Sequence, residues 1–270
     1  MNNSKSINIK STLQTDAVHV EWEKSYRTKE NEKFYEEAFD YIISVLNPPK
    51  GSTFLDVGCG ICAHSIRLAR RGFYVQAVDF SESALKMAES QIQSSGLQDK
   101  IKLQREDVLS LSFKDQSFDY ILCWGVLMHI PDIEKAISEL SRILKREGTL
   151  IISEGNMNSL ESITLRILKR LLNKEKAKVR KTPAGLEYWT QTKAGELLTR
   201  QANISWLIRT FKNNGLTVKK RVSGQFTEIY TRFPSSLIKT FIHSFNQFWF
   251  KYVGMAYCSF GNIIILQNDK

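Results

Sequence analysis

The feature that most constrains this chain is one turn, Asp56-Val-Gly58-Cys59-Gly60-Ile-Cys62-Ala63, followed 23 positions after Asp56 by Asp79. Thr53 to Val57 is short and mostly apolar and reads as a buried strand. Ala63 to Arg71 has helical spacing, and Phe73 to Val78 reads as a second strand. Strand, glycine turn, helix and strand in that order commit this part of the chain to a parallel sheet. The two glycines let backbone approach a ligand where a side chain would collide. A carboxylate at the end of the second strand can accept both hydroxyls of a ribose. Together they point to a ligand that contains a nucleoside.

The alternation continues. Ser81 to Ser94 predicts a helix ended near Gly96, Ile101 to Gln104 a third strand, and Phe118 to Trp124 a fourth. Asp132 is a plausible N-cap for a helix running to Lys145, and Thr149 to Ser153 is a fifth strand. Before the sheet, Phe34, Tyr35, Ala38, Phe39, Ile42, Ile43 and Leu46 recur at helical spacing until Pro48-Pro49 stop the pattern. After it come a basic helical segment from Leu160 to Lys181, a loop with Pro183 and Gly185, and a helix near Ile204 to Asn213. A strand from Leu216, an aromatic helix from Ser235 to Tyr252 and a last strand from Gly261 to Leu266 follow. The expected fold is α/β: a Rossmann-like, seven-stranded, mostly parallel sheet with helices on both faces, plus a helical cap insertion. The expected division is an N-terminal helical segment over the site (1–50), a cofactor-binding core (51–155), a basic helical cap (156–200) and a C-terminal part (201–270) that completes the sheet.

Gly58-x-Gly60-x-x-Ala63 also fits the dinucleotide fingerprint, so the turn alone leaves a nicotinamide-dependent oxidoreductase open. Asp56 argues against it, because a carboxylate beneath that turn repels a pyrophosphate. A ligand carrying an ammonium and a sulfonium would instead be attracted. Glu106-Asp107-Val108 follows strand three, where an acid can accept from an adenine amino group beside an apolar wall. Trp124-Gly-Val-Leu-Met-His129-Ile-Pro-Asp132 follows strand four.

With these residues in hand, the stretch from about 50 to 155 resembles the class I S-adenosylmethionine-dependent methyltransferases, most of all the ubiquinone/menaquinone-biosynthesis type. The resemblance implies S-adenosylmethionine as cofactor and methyl transfer to a small-molecule acceptor. It assigns Asp56, Gly58, Cys59 and Gly60 to the turn around the methionine part and Asp79 to the ribose. Asp107 and Val108 fall to the adenine, with Phe80 against that ring and Trp124 under the sulfonium side. The third glycine of the family's turn is here Cys62, tolerable if its φ is negative.

His129 sits where an acceptor should lie, with an ordinary pKa suited to deprotonating a hydroxyl. It is the candidate base, against the plainer role of holding the loop before Pro131. Tyr26, Tyr188 and Trp189 are candidates for the acceptor pocket, against ordinary packing. Cys59 and Cys62 form a C-x-x-C, but the glycine frame already accounts for the segment and no metal is expected. The late aromatic residues, Phe233 to Tyr252, are expected in the core or the acceptor-pocket wall, which suggests a bulky apolar or lipid-like acceptor. A hydroxyl is favoured over carbon or nitrogen as the methylated atom.

The net charge of +10 is uneven: 19 Lys/Arg face 21 Asp/Glu in residues 1–150, but 19 face 7 in 151–270. Much of the excess is one run, Arg166, Lys169, Arg170, Lys174, Lys176, Lys178, Arg180 and Lys181, interleaved with leucine and isoleucine. It reads equally as an active-site lid, a contact with an anionic membrane or a solvated helix face. An RNA-directed methyltransferase is the rival that this charge permits. The absence of an Asn/Asp-Pro-Pro-Tyr after strand four weighs against it, and a nucleic-acid partner is not expected. A binding protein that retained the fold without catalysis is a further rival, opposed by the intact carboxylates. Met1 to Lys10 is polar and no apolar stretch suits a membrane span, so the expected location is the cytoplasm.

Overall fold

The computed structural model describes residues 9–172, 178–192, 194–233 and 235–269. Among the described residues a helical stretch at 9–13 comes first, then α1 (Asp16–Tyr26) and α2 (Lys29–Leu46), all before the sheet. The Thr28 hydroxyl starts α2 by accepting from the Asn31 N–H at 3.3 Å, and Asn47 ends it at φ 44°, before the two prolines. Next come β1 (Thr53–Val57), α3 (Ala63–Arg70), β2 (Tyr74–Asp79), α4 (Glu82–Ser95), β3 (Ile101–Arg105), β4 (Phe118–Trp124), α5 (Ile133–Ile143) and β5 (Leu144–Gly155). Ser81 caps α4, Gly96 ends it in the left-handed conformation, and Asp132 caps α5 at 3.2 Å from the Lys135 N–H. The chain continues through α6 (Leu160–Leu171), β6 (Lys178–Thr182), β7 (Gly185–Thr192), β8 (Gly195–Ala202), α7 (Ile204–Asn213), β9 (Leu216–Ser223), α8 (Ser236–Phe248) and β10 (Gly261–Asn268).

The main sheet has seven strands in the order β3-β2-β1-β4-β5-β10-β9. The pairings from β3 to β5 are parallel, while β10 runs antiparallel to both of its neighbours. Strand order reverses between β1 and β4, and such a switch point opens a crevice at the carboxyl ends of the strands. Side chains alternate across the sheet as a pleat requires. Phe54 joins Ile66, Leu68, Val75 and Ile151 on one face, while Leu55 and Val57 join Ile121, Ile137, Leu140 and Phe211 on the other.

The expected seven-stranded architecture is present, but the insertion differs from the helical cap expected for it. The helix predicted from Leu160 to Lys181 ends at Leu171, and the predicted loop around Pro183 and Gly185 is part of a three-stranded antiparallel sheet, β6-β7-β8. The reason lies in its buried face. Glu187 and Arg200 are cross-strand partners, both buried and joined at 2.9 Å, so charged residues occupy positions where an apolar alternation would have marked strands. Lys174, Glu175 and Lys176 of the basic run lie outside the described residues.

The aromatic helix is a second correction. It faces outward: Leu237, Phe241 and Tyr252 are 82%, 74% and 76% exposed, so these side chains line neither core nor pocket. Other residues hold the segment: Phe245 packs on Phe226 at 5.3 Å between rings, and Phe250 on Phe34 at 5.4 Å and against the core, as expected for it. His243 packs on Tyr230 at 4.2 Å between rings, and the Asn246 side chain accepts from the Thr227 N–H at 3.1 Å. Among the described residues no helix is long and apolar enough to cross a membrane.

Because Leu140 is fully buried in α5 between the sheet and its neighbours, Leu140→Ala is expected to cost about 2–5 kcal/mol. Urea unfolding checks this; a loss below about 1 kcal/mol would show that the core there collapses around the cavity.

Candidate active site

The turn after β1 is folded onto the end of β2. Gly58 and Cys59 both donate their N–H groups to the Val78 carbonyl, at 2.8 and 3.0 Å, and the Gly60 N–H donates to Asp79 Oδ2 at 2.9 Å. Gly58 has φ +70°, and a Cβ there would come within 2.5 Å of Val126 in the loop after β4. Gly60 has φ +53° with open space beside it. Cys62 stands at φ 65°, not at the negative φ expected for it, and its buried thiol packs under the turn. A side chain in the left-handed region is unfavourable by about 1–2 kcal/mol, which the surrounding packing must offset. Asp56 is buried behind the turn, where it accepts from the Ser65 hydroxyl at 2.6 Å. Burial raises its pKa to about 7, against the lowering effect of Ser65. Neither Asp56 nor Cys59 lines the cavity that the other turn residues border.

Asp79 is the centre of the site. Its Oδ1 accepts from the Ser81 N–H at 2.9 Å, and burial raises its pKa although the Ser81 and Gly60 N–H groups favour the charged form. His19 of α1 reaches over it, its Nε2 lying 2.8 Å from the Leu13 carbonyl and 3.2 Å from the Ser81 hydroxyl. Phe80 packs beside Ile9 and Leu13. Asp107 receives the Leu109 N–H at 3.0 Å and pairs with Lys10 from the N-terminal segment. The N-terminal segment and α1 thus close one side of the crevice.

On the other side, Trp124 joins Tyr35, Phe39 and His64 in an aromatic cluster, with ring centroids 5.0 to 6.1 Å from its own. His129 lies on the short 3-10 turn after β4. Its Nδ1 is 2.7 Å from the Leu198 carbonyl, so Nδ1 carries the proton and Nε2 is the acceptor. The ring stacks on Trp22 at 5.0 Å. Burial pushes the His129 pKa down to about 4, so the imidazole is neutral near pH 7 but a far weaker base than an ordinary histidine. Glu154, at the end of β5, accepts from the Leu127 N–H at 3.0 Å, while its Oε2 is buried without a partner. Burial raises Glu154 to about 8 and Glu228 to about 7.

These groups border one cavity of about 380 Å³ at the strand ends. Gly58, Gly60, Asp79, Phe80, Asp107, Val108, Trp124, His129 and Tyr26 all line it. Tyr188 and Trp189 do not: Tyr188 faces a second cavity, and Trp189 packs in the cluster of Ile9, Leu13 and Leu198. Sequence reasoning missed Lys10, His19, Trp22, Tyr35, His64, Glu154 and Glu228. Of these, Glu154 carried a signal, since it closes a parallel strand at the functional edge. Among the described residues five carboxyl side chains, Asp79, Glu106, Asp107, Glu154 and Glu228, line the cavity, whereas Lys10 is the one lysine or arginine that does. Such a donor set, with glycine backbone exposed in the wall, fits a cationic nucleoside and not a pyrophosphate.

Gly58→Ala is expected to destabilise the fold more than Gly60→Ala, by about 1–3 kcal/mol of overpacking against Val126 beyond the conformational strain that both share. Equal losses in chemical unfolding would contradict the close approach. A pH effect follows from the buried carboxyls. Asp56, Glu154 and Glu228 have folded pKa values raised above their unfolded ones, so the folded state keeps protons that the unfolded state releases. Between pH 6.5 and 8 the ligand-free protein should lose stability, seen as a falling Tm; a rising Tm would contradict it. Below that window the histidines with lowered pKa, His64 and His129, act in the opposite sense.

Residues 55–152 match the Methyltransferase domain family. Ubiquinone biosynthesis O-methyltransferase from Coxiella burnetii is 37% identical over 109 residues, which cover 40% of this chain and 46% of that protein. Demethylmenaquinone methyltransferase from Staphylococcus epidermidis is 33% identical over 124 residues, covering 44% of this chain and 50% of that protein. The matched stretch spans half or less of these curated relatives. The solved structure of magnesium protoporphyrin IX methyltransferase from Synechocystis, with bound SAH, superposes with a TM-score of 0.62 at 16% identity, over 96% of this chain and 98% of that one, a likeness of fold. Residues 55–152 of this chain are thus similar in sequence to methyltransferase domains, its fold is that of S-adenosylmethionine-dependent methyltransferases of known structure, and S-adenosylmethionine is the cofactor to which both likenesses point.

Proposed function

We propose that this protein transfers a methyl group from S-adenosylmethionine to a small-molecule acceptor, both held in the cavity at the strand ends. The observation that carries this reading is the wall itself: five carboxyl side chains and two positive-φ glycines against a single lysine. S-Adenosylmethionine supplies a methyl carbon already activated by a sulfonium. Gly58 and Gly60 offer backbone to the methionine part, and Asp79 accepts the ribose hydroxyls with lone pairs that Gly60 and Ser81 leave free. Phe80 and Val108 sandwich the purine, and the Asp107 carboxylate takes its amino group in competition with Lys10. Trp124, with Tyr35 and His64, presents aromatic surface to the cationic centre.

The acceptor side is apolar, walled by Val126, Met128, Ile130 and Phe260, which suits a bulky apolar molecule. A hydroxyl is the favoured acceptor atom. His129 would orient it through Nε2, the nitrogen left as acceptor by the Leu198 hydrogen bond. With the imidazole held near pKa 4, this side chain positions the hydroxyl more than it deprotonates it. Most of the rate must then come from holding the two reactants in line, which is worth several kcal/mol, about 7–11 at best.

Calorimetry with S-adenosylmethionine and with NAD, on wild type and on Asp79→Ala, tests the reading. Saturable binding of the methyl donor is expected, weakened by about 1.5–3 kcal/mol in the variant, the range for hydrogen bonds to a charged group. Binding of NAD in place of the methyl donor would overturn it and favour the oxidoreductase alternative.

A further inference from the structure

A second cavity, of about 200 Å³, lies behind the acceptor side of the first and shares Met128, Thr199 and Phe260 with it. Its character is opposite. Arg166 and Lys169 of α6, Arg200 of β8 and Arg232 line it, together with Tyr188, and among the described residues no carboxyl side chain does. Arg200 is 1% exposed and held rigidly: its terminal nitrogens donate to the Leu127 and Ile130 carbonyls at 2.9 and 2.8 Å and to Glu187 at 2.9 Å. Its Nε–H is buried and has no partner. A buried donor left unpaired is unfavourable by about 1–3 kcal/mol unless a ligand or water satisfies it. Arg166 spends one nitrogen on the Met157 carbonyl at 2.6 Å, and the Lys169 ammonium lies 6.0 Å from the centre of the Tyr188 ring. Among the described residues, none of Arg166, Lys169 and Arg232 forms an ion pair. Three cations without an ion-pair partner among the described residues, beside the rigidly held Arg200 guanidinium, make an anion site, and their number suits a group of two charges and three free oxygens.

We propose that this second cavity binds the phosphate group of the methyl acceptor, seating the acceptor's apolar part in the first cavity. The inference rests on the methyl-transfer reading and names the class of its substrate: a phosphorylated apolar molecule. Such a phosphate has two sources. The acceptor is either a soluble phosphate ester or a phospholipid-like molecule whose chain also meets the apolar stripe of α6. On that stripe Leu160, Ile163, Ile167 and Leu171 are 51%, 37%, 54% and 76% exposed.

Titration of inorganic phosphate and of short-chain phosphatidic acid, below its micelle concentration, into the full chain tests this by calorimetry. The variants are Arg166→Gln with Lys169→Gln, Arg232→Gln alone, and a control, Lys219→Gln with Lys220→Gln, which removes equal charge from β9 outside both cavities. S-Adenosylmethionine affinity is measured on each. Expected is saturable phosphate binding by the wild type, weakened about tenfold or more by the cavity variants and unchanged by the control, with cofactor affinity unaltered throughout. Tighter binding of phosphatidic acid with the same dependence on Arg166 and Lys169 supports the site with a lipid source; equal affinity supports it with a soluble one. No saturable binding by the wild type, or an equal loss in the control, overturns the site. Binding of phosphate in this pattern without binding of S-adenosylmethionine overturns the methyl-transfer reading and leaves the anion site standing. The reverse overturns the anion site alone.

Discussion

The site depends on one close approach, that of Gly58 after β1 to Val126 after β4, across the point where strand order reverses. A hydrogen at that α-carbon is all the space allows. The approach is held by the Gly58 and Cys59 N–H groups on Val78 and by Gly60 on Asp79. Those bonds fasten the turn of the first strand to the end of the second, which is why the carboxylate of Asp79 faces the crevice instead of solvent. Cys62, strained in the left-handed conformation one step further on, shows how strongly the surrounding packing determines the turn.

Electrostatics then divide the interior. The cavity at the strand ends gathers carboxyls, of which burial raises the pKa values of Asp79, Glu154 and Glu228. The cavity behind it gathers guanidinium and ammonium groups, with no acid among the described residues of its wall. The Glu187–Arg200 pair is buried across β7 and β8, and its guanidinium, on the wall of the second cavity, braces the loop that carries His129. An elongated molecule with a phosphate at one end and a nucleophilic atom further along would match that division.

Much of the core was legible in the sequence because the relevant signals are local. Two glycines, acids at strand ends and apolar runs of strand length placed β1 to β5, α2 to α5 and, with Asp79 and Asp107, part of the cavity's wall. The parts that escaped are those in which tertiary contacts override local pattern. The small sheet was hidden by the charged pair on its buried face, and α8 because its apolar side faces outward and its polar side is held by His243 and Asn246. His19 and Trp22 sit on a helix with little apolar contrast, so nothing in the local pattern marks them as reaching Asp79 and His129. The pKa of His129 depends on burial between Trp22 and Leu198, which lie 107 positions before it and 69 after it.

The most direct measurement is a crystal structure of the full chain grown with S-adenosylhomocysteine. The expected result is density for the nucleoside in the cavity at the carboxyl ends of β1, β2 and β4, with both ribose hydroxyls on Asp79 and the methionine part against Gly58 and Gly60. Density for the same molecule elsewhere, or an adenosine whose ribose lies away from Asp79 in this cavity, would contradict it.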